Sequence, residues 1–229
     1  MTTRIRVLST LAVMGAMRTL SEAFETQTGH TVDPDFAPTV ALLERLRAGE
    51  AADVAILTAQ AIDDLIAEGR IRAGSRTDIA RSFVGLAVKA GAPKPDIATV
   101  PALKAALLAA RSVAYSRIGA SGIYFASLLD RLGIAAEVNA RATIAAAGFT
   151  AERLVSGEAD LAVQQISELM VVPGIDVAGP LPAEVQTVAI FSAGLLTAAA
   201  QPPAAADFIR FLASAPAAPV LRRTGLEPA

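Results

Sequence analysis

Hydrophobic positions along the chain alternate between short solid runs and stretches spaced every three or four residues. Arg4 to Leu8 reads as a short buried strand. Met17, Leu20 and Phe24 then recur at helical spacing, and Gly29 suits the residue just past a helix end. His30 to Phe36 predicts a second strand with Pro34 near its end. Thr39 to Ala48 predicts a helix with Val40, Leu43 and Leu46 on one face. Ala52 to Thr58 predicts a third strand, and Ile62 to Glu68 a short helix ending at Gly69. This β-α-β-α-β-α run implies a parallel sheet flanked by helices.

The pattern changes near residue 80. Phe83 to Lys89 predicts a strand, Val100 to Ala110 a helix with Pro101 in its first turn, and Ser112 to Tyr115 a strand. Ser116 to Gly122 reads as a small-residue loop, Tyr124 to Leu132 as a helix closed by Gly133, and Phe149 to Ser156 as a helix. Asp160 to Gln165 predicts a strand. Met170 to Pro182, with three prolines and two glycines, reads as loop. Val185 to Thr197 predicts a long strand returning to the first unit. Pro203 to Ala213 and Pro216 to Arg223 predict closing helices. The expected organisation is two α/β lobes: residues 1–82 with 190–229, and residues 83–189, joined by two crossing strands. In such folds ligands sit at strand carboxyl ends, facing helix N-termini.

Composition narrows the chemistry. With 20 basic and 22 acidic residues the net charge is −2, which argues against nucleic acid as a partner. The absence of cysteine excludes disulfides, thiolate catalysis and iron–sulfur clusters, and a single histidine, His30, argues against a Ser-His-Asp triad. No cofactor and no metal are expected; Asp33 and Asp35, beside Pro34 and Phe36, read as a strand-end loop rather than a metal site. His30, at a helix exit, reads as a surface residue. No run reaches the ~18–20 apolar residues of a membrane span. The N-terminus has a basic start and an apolar run, but Ser9-Thr10 interrupts it. A strand followed by a helix is the expectation there, with a cytoplasmic location as the sequence stands and a periplasmic one if the start has been trimmed.

Small hydroxyl, glycine or amide residues stand at several strand-to-helix junctions: Ser9-Thr10, Thr39, Ser116 with Ser121-Gly122, and Gln164-Gln165. A helix N-terminus exposes free N–H groups and partial positive charge, and hydroxyls add donors without bulk. Such a set suits an oxyanion or a carboxylate, with Arg117 as counter-charge. The stretch from Ser116 to Gly122 lacks the Gly-Lys-Ser/Thr ending of a phosphate loop. For acid–base work the candidates are Tyr124, after the Ser121-Gly122 turn, and Glu168, after the Gln164-Gln165 strand end.

Segments in order along nearly the whole chain carry a resemblance. They are Ser9-Thr10-Leu11, Phe36-Ala37-Pro38-Thr39, Leu46 through Val54, Ala120-Ser121-Gly122-Ile123-Tyr124, Gly157 through Leu161, and Ala206-Asp207-Phe208 through Gly225-Leu226-Glu227-Pro228. The chain resembles the type II periplasmic solute-binding proteins, in the branch around the molybdate-binding proteins of ABC transporters. The resemblance implies a two-lobed fold with a ligand cleft between lobes, each lobe a mostly parallel sheet flanked by helices. It implies capture of a small anion, carboxylate or oxyanion, and an ABC permease as partner if the chain is exported. It places the ligand shell on Thr10 with Ser9 beside it, Thr39, the N–H groups at Ser121-Gly122, a helix start near Ala147, and Gln165. Gln165 stands where molybdate binders carry a tyrosine, and the serine-rich turn is thinned to Pro38-Thr39-Val40. Both departures favour a carboxylate over a metal oxyanion. The segment Gln164 to Leu169 with Val172-Pro173-Gly174 and Gly179-Pro180-Leu181-Pro182 resembles a side branch, the aconitate isomerases. That alternative implies an enzyme that interconverts cis and trans tricarboxylates, with Glu168 or Tyr124 as its base.

Overall fold

The computed structural model describes residues 2–229. In chain order the strands are β1 (Arg4–Thr10), β2 (Thr31–Ala37), β3 (Val54–Thr58), β4 (Thr77–Lys89), β5 (Val113–Ser116), β6 (Thr143–Ala145), β7 (Leu161–Gln165), β8 (Ile175–Pro180), β9 (Val188–Leu195) and β10 (Glu227–Pro228). The helices are α1 (Met14–Thr28), α2 (Thr39–Arg47), α3 (Ala59–Ala67), α4 (Val100–Ala109), α5 (Ala120–Arg131), α6 (Ala135–Asn139), α7 (Glu152–Val155), α8 (Ile166–Leu169), α9 (Pro202–Leu212) and α10 (Ala218–Arg223). The chain divides into two compact units. One runs to Ser82 and resumes at Ala189; the other is Phe83–Val188.

In the first unit β1 pairs in parallel with β2 and with β3, and β9 runs antiparallel against β3. Its strand order is β2-β1-β3-β9-β4, with β10 added to β4. Ile5, Val7, Val54 and Ile56 are fully buried with Met17, Leu20 and Phe24 of α1 and Phe208 of α9. Leu8, Ala55 and Leu57, which alternate with them, pack with Leu42, Leu46, Ile62 and Leu65 of α2 and α3. Burial on both faces explains why these strands read as solid apolar runs rather than alternating ones. Gly29 closes α1 in the left-handed conformation, at φ 72°.

In the second unit β5 pairs in parallel with β6 and β7, while β7 and β8 both run antiparallel to β4. Tyr115, Phe125, Leu128 and Leu129 form its largest core cluster, with Val84, Leu86 and Val163. Near the ends of this unit the Gln186 side chain makes four hydrogen bonds. Its oxygen accepts from the N–H groups of Val84 at 3.1 Å and Thr187 at 2.9 Å. Its nitrogen donates to the carbonyls of Val84 at 2.9 Å and Leu181 at 3.3 Å.

Several elements differ from the expectation. The loop expected over Met170–Pro182 contains β8, whose Gly179 and Pro180 serve a strand held by β4 alone among the described residues, with a register shift between Leu86 and Ala87. The helix expected from Phe149 is a single turn starting at Glu152, and α6 and β6 lie where no element was read. Helix α2 buries Leu42 and Leu46, whereas Val40 is exposed. Asp33, Pro34 and Asp35 lie inside β2 rather than in a loop; β2 is an edge strand, where a proline costs no ladder bond. No single helix among the described residues is long and apolar enough to cross a membrane.

Candidate functional site

The carboxyl ends of the first unit's three parallel strands carry threonines or lead directly into one. Thr10 ends β1 and sits opposite Ala37 in the ladder; Pro38-Thr39 follows β2; Thr58 ends β3. Thr10 is 4% exposed, and its hydroxyl does not cap the short 3-10 turn that follows. Neighbouring Ser9 is fully buried and its hydroxyl donates to the Thr10 carbonyl at 3.2 Å, so Ser9 supports this corner from beneath. Pro38 caps α2 without a side-chain acceptor. The first α2 N–H to find a carbonyl is that of Leu42, to Pro38, which leaves those of Thr39–Ala41 outside the ladder. The first turn of α2 holds no acidic residue, so its positive end is uncompensated. Thr58, which the sequence reading passed over, is an ordinary cap: its hydroxyl accepts from the Ala61 N–H at 3.4 Å.

In the second unit the same strand ends are Ser116, Ala145 and Gln165, and Ser116 pairs with Ala145. Helix α5 begins at Ala120, three residues earlier than a loop through Gly122 allows, so Ser121 and Gly122 lie in its first turn. The Ile123 N–H reaches Gly119, leaving those of Ala120–Gly122 outside the ladder, again with no acidic residue in the turn. A Cβ on Gly122 would stand 1.7 Å from the Ser116 carbonyl oxygen, so only glycine lets this turn press onto the end of β5. The helix start implied near Ala147 is instead an exposed loop; the next helix begins at Glu152.

The remaining candidates divide by what their polar atoms already do. The Gln164 oxygen accepts from Thr150, at 2.8 Å from its N–H and 3.0 Å from its hydroxyl, and holds the chain before α7. Gln165 is 2% exposed, and its side-chain oxygen is buried without a hydrogen-bond partner. Tyr124 donates to the Val185 carbonyl and accepts from Arg131 at 3.0 Å, so its hydroxyl is engaged in packing. Arg117 is exposed and lies over the Tyr115 ring at 5.9 Å. His30 is half-buried against Phe24, its Nδ1 unpartnered. No group of acidic or histidine side chains among the described residues could hold a metal ion.

Glu168 stands apart. It is buried in α8, and its carboxylate accepts from the Gln165 N–H at 3.3 Å. Desolvation pushes its pKa up to about 7, against smaller opposing effects from hydrogen bonds to the Gln165 backbone and the Gln164 side chain. A carboxyl poised near neutrality can both take and return a proton.

Residues 5–227 match the family model described as bacterial extracellular solute-binding protein. The chain belongs to this family. Like other members, this solute-binding protein has the periplasmic-binding-protein α/β fold. It superimposes on the periplasmic molybdate-binding protein of Azotobacter vinelandii with a TM-score of 0.82 at 20% identity, covering 97% of this chain and 98% of that one. The sulfate-binding protein of Mycobacterium tuberculosis gives 0.78 at 15% identity, covering 99% and 87%. In sequence the chain is 38% identical over 232 aligned positions to an aconitate isomerase of a Pseudomonas species, covering 99% of this chain and 88% of that protein.

Proposed function

We propose that this solute-binding protein captures a small carboxylate anion through hydroxyls, an amide and helix N-termini at the carboxyl edges of its parallel strands. The observation that carries the reading is the pair of long helices, α2 and α5, that start at these edges with free N–H groups and no acidic residue in the first turn. Thr10, Thr39, Ser121, Gly122 and Gln165 form the proposed contacts, with Arg117 as counter-charge. Ser9 and Gln164 act one layer back. An ABC permease is the partner and the periplasm the location in this reading.

A second reading is favoured by two observations: the aconitate isomerase relative and the near-neutral Glu168. In it the bound acid is an unsaturated tricarboxylate. Glu168 takes a proton from the methylene carbon, the double bond shifts, and the proton returns at the former vinyl carbon. Tyr124, with its hydroxyl engaged, is the weaker candidate for the base.

An NMR time course with trans-aconitate separates the two, run beside a thermal-shift panel of carboxylates and oxyanions. Stabilisation by a carboxylate without conversion supports capture. Appearance of cis-aconitate, absent from a Glu168→Gln control, supports the isomerase. Stabilisation by molybdate or sulfate alone overturns the carboxylate assignment.

A further inference from the structure

The second unit carries a concavity of about 600 Å³ at the amino ends of β5 and β7, the end opposite to Ser116 and Gln165. Its floor is apolar and buried: Val88, Ala110, Leu154 and Leu161 are each under 10% exposed. Pro93 and Pro95 stiffen one wall, and its rim carries Lys89, Lys94 and Arg111 against one carboxylate, Asp160.

The charges on that rim are unevenly matched. Arg111 is spent on Asp160 at 2.9 Å and on the Gly157 carbonyl at 3.0 Å. The Lys89 amine reaches only the Val155 carbonyl, at 3.4 Å, and Lys94 has no carboxylate partner. Every ion pair among the described residues uses an arginine; none uses a lysine. Two of the chain's three lysines thus stand over an apolar floor with their charge unanswered.

We propose that this groove is a second binding site, for an amphipathic organic anion: an apolar tail on the floor and one carboxylate or sulfonate head between Lys89 and Lys94. The volume lies within the roughly 300–1,000 Å³ of small-molecule sites. A lysine ammonium is a mobile point charge, suited to a head group that varies in position, while the apolar floor sets the size of the tail. The site owes nothing to the strand-end residues of the anion-capture reading.

The test is an amide NMR titration of the full chain with decanoate, kept below its micelle concentration, with decan-1-ol and acetate as tail-only and head-only probes. Decanoate is expected to shift residues 89–95, 106–111 and 157–161 in a saturable way. Decan-1-ol binds at least tenfold more weakly there, and acetate leaves these residues unmoved. The double variant Lys89→Glu, Lys94→Glu, at two exposed positions, keeps the melting temperature and weakens decanoate at least tenfold. Ala106→Phe, which fills the groove, weakens decanoate and decan-1-ol alike. The groove shifts at residues 89–95, 106–111 and 157–161 are read separately from any at the strand ends, so carboxylate capture there does not count for the groove. Equal affinity for decanoate and decan-1-ol overturns the anion assignment. No saturable shift at the groove, or indifference to both the charge-reversal and the filling variants, overturns the site.

Discussion

In the unit built from both chain ends, β1 to β3 lead into Thr10, Thr39 and Thr58, and none of the three ends in a titratable side chain. In the central unit the equivalent strands close on Ser116, Ala145 and Gln165, followed by a buried carboxyl at Glu168. Both edges offer a long helix whose first turn lacks acid. Only the second adds an unpartnered buried amide oxygen and a carboxyl whose pKa burial raises to about 7. The difference teaches that, in the capture reading, either unit can supply anion reception through fold and small residues. In the isomerase reading the proton transfer comes from the central unit.

The largest expected effect breaks the second edge outright. Gly122→Ala puts a methyl into the Ser116 carbonyl and forces α5 away from β5. A loss of about 3 kcal/mol or more in urea unfolding is expected, with loss of anion binding. A wild-type midpoint would show that the turn has room to move.

Next comes Glu168→Gln. In the isomerase reading it lowers kcat at least about 100-fold and spares substrate binding, and the rise of kcat through pH 7 disappears, because a base works only when deprotonated. The same variant has a signature in stability that needs no substrate. A carboxyl whose folded pKa lies above its unfolded value stabilises the fold when protonated, and that contribution fades as pH rises from about 4.5 towards 7. Glu168→Gln is therefore expected to be neutral at pH 4 and to gain about 1–3 kcal/mol over wild type at pH 8. Equal gains at both pH values would place the Glu168 effect outside its titration.

On the first edge, Thr10→Val with Thr39→Val should weaken the carboxylate about tenfold, or about 1.4 kcal/mol, with the melting temperature unchanged. Unchanged affinity would remove this edge from the site. The smallest effect belongs to the outer face of the same unit. There the Arg45 guanidinium, with help from Arg6, holds the Glu50 carboxyl down to about 2. That contribution is present above the usual glutamate range and lost on acidification. Glu50→Gln should cost no more than about 1 kcal/mol at pH 7 and nothing near pH 2, read by unfolding at the two values.

Much of the architecture was legible because both faces of its sheets are covered. Val54–Thr58 and Leu161–Gln165 read as solid apolar runs for that reason. What stayed hidden was marginal locally. The three residues of β6 and the glycine- and proline-bearing β8 owe their strand state to neighbours at distant positions, β5 and β4. At the candidate site, residue types marked the right junctions but could not tell a contact from a support. Ser9 and Gln164 look like donors in sequence and are spent on Thr10 and Thr150 in the fold. The protonation of Glu168 depends on burial, which a residue after a strand end does not declare.

The four hydrogen bonds of Gln186 also bear on how the chain is made. Residues 83–188 interrupt the first unit, which needs β9 and α9, made last, to complete its sheet and core. As the chain emerges in order, the central unit is finished while the outer one still waits. Bringing the two halves of the outer unit together across about a hundred flexible residues would cost about 4 kcal/mol in loop closure. A central unit already folded, with Val84 fastened to Gln186, presents its two ends side by side and removes most of that penalty. Gln186, whose partner Val84 lies beside Gln165 in the sheet, thereby ties the two ends of the central unit together, and Gln186→Ala is expected to act on the refolding rate more than on the unfolding rate.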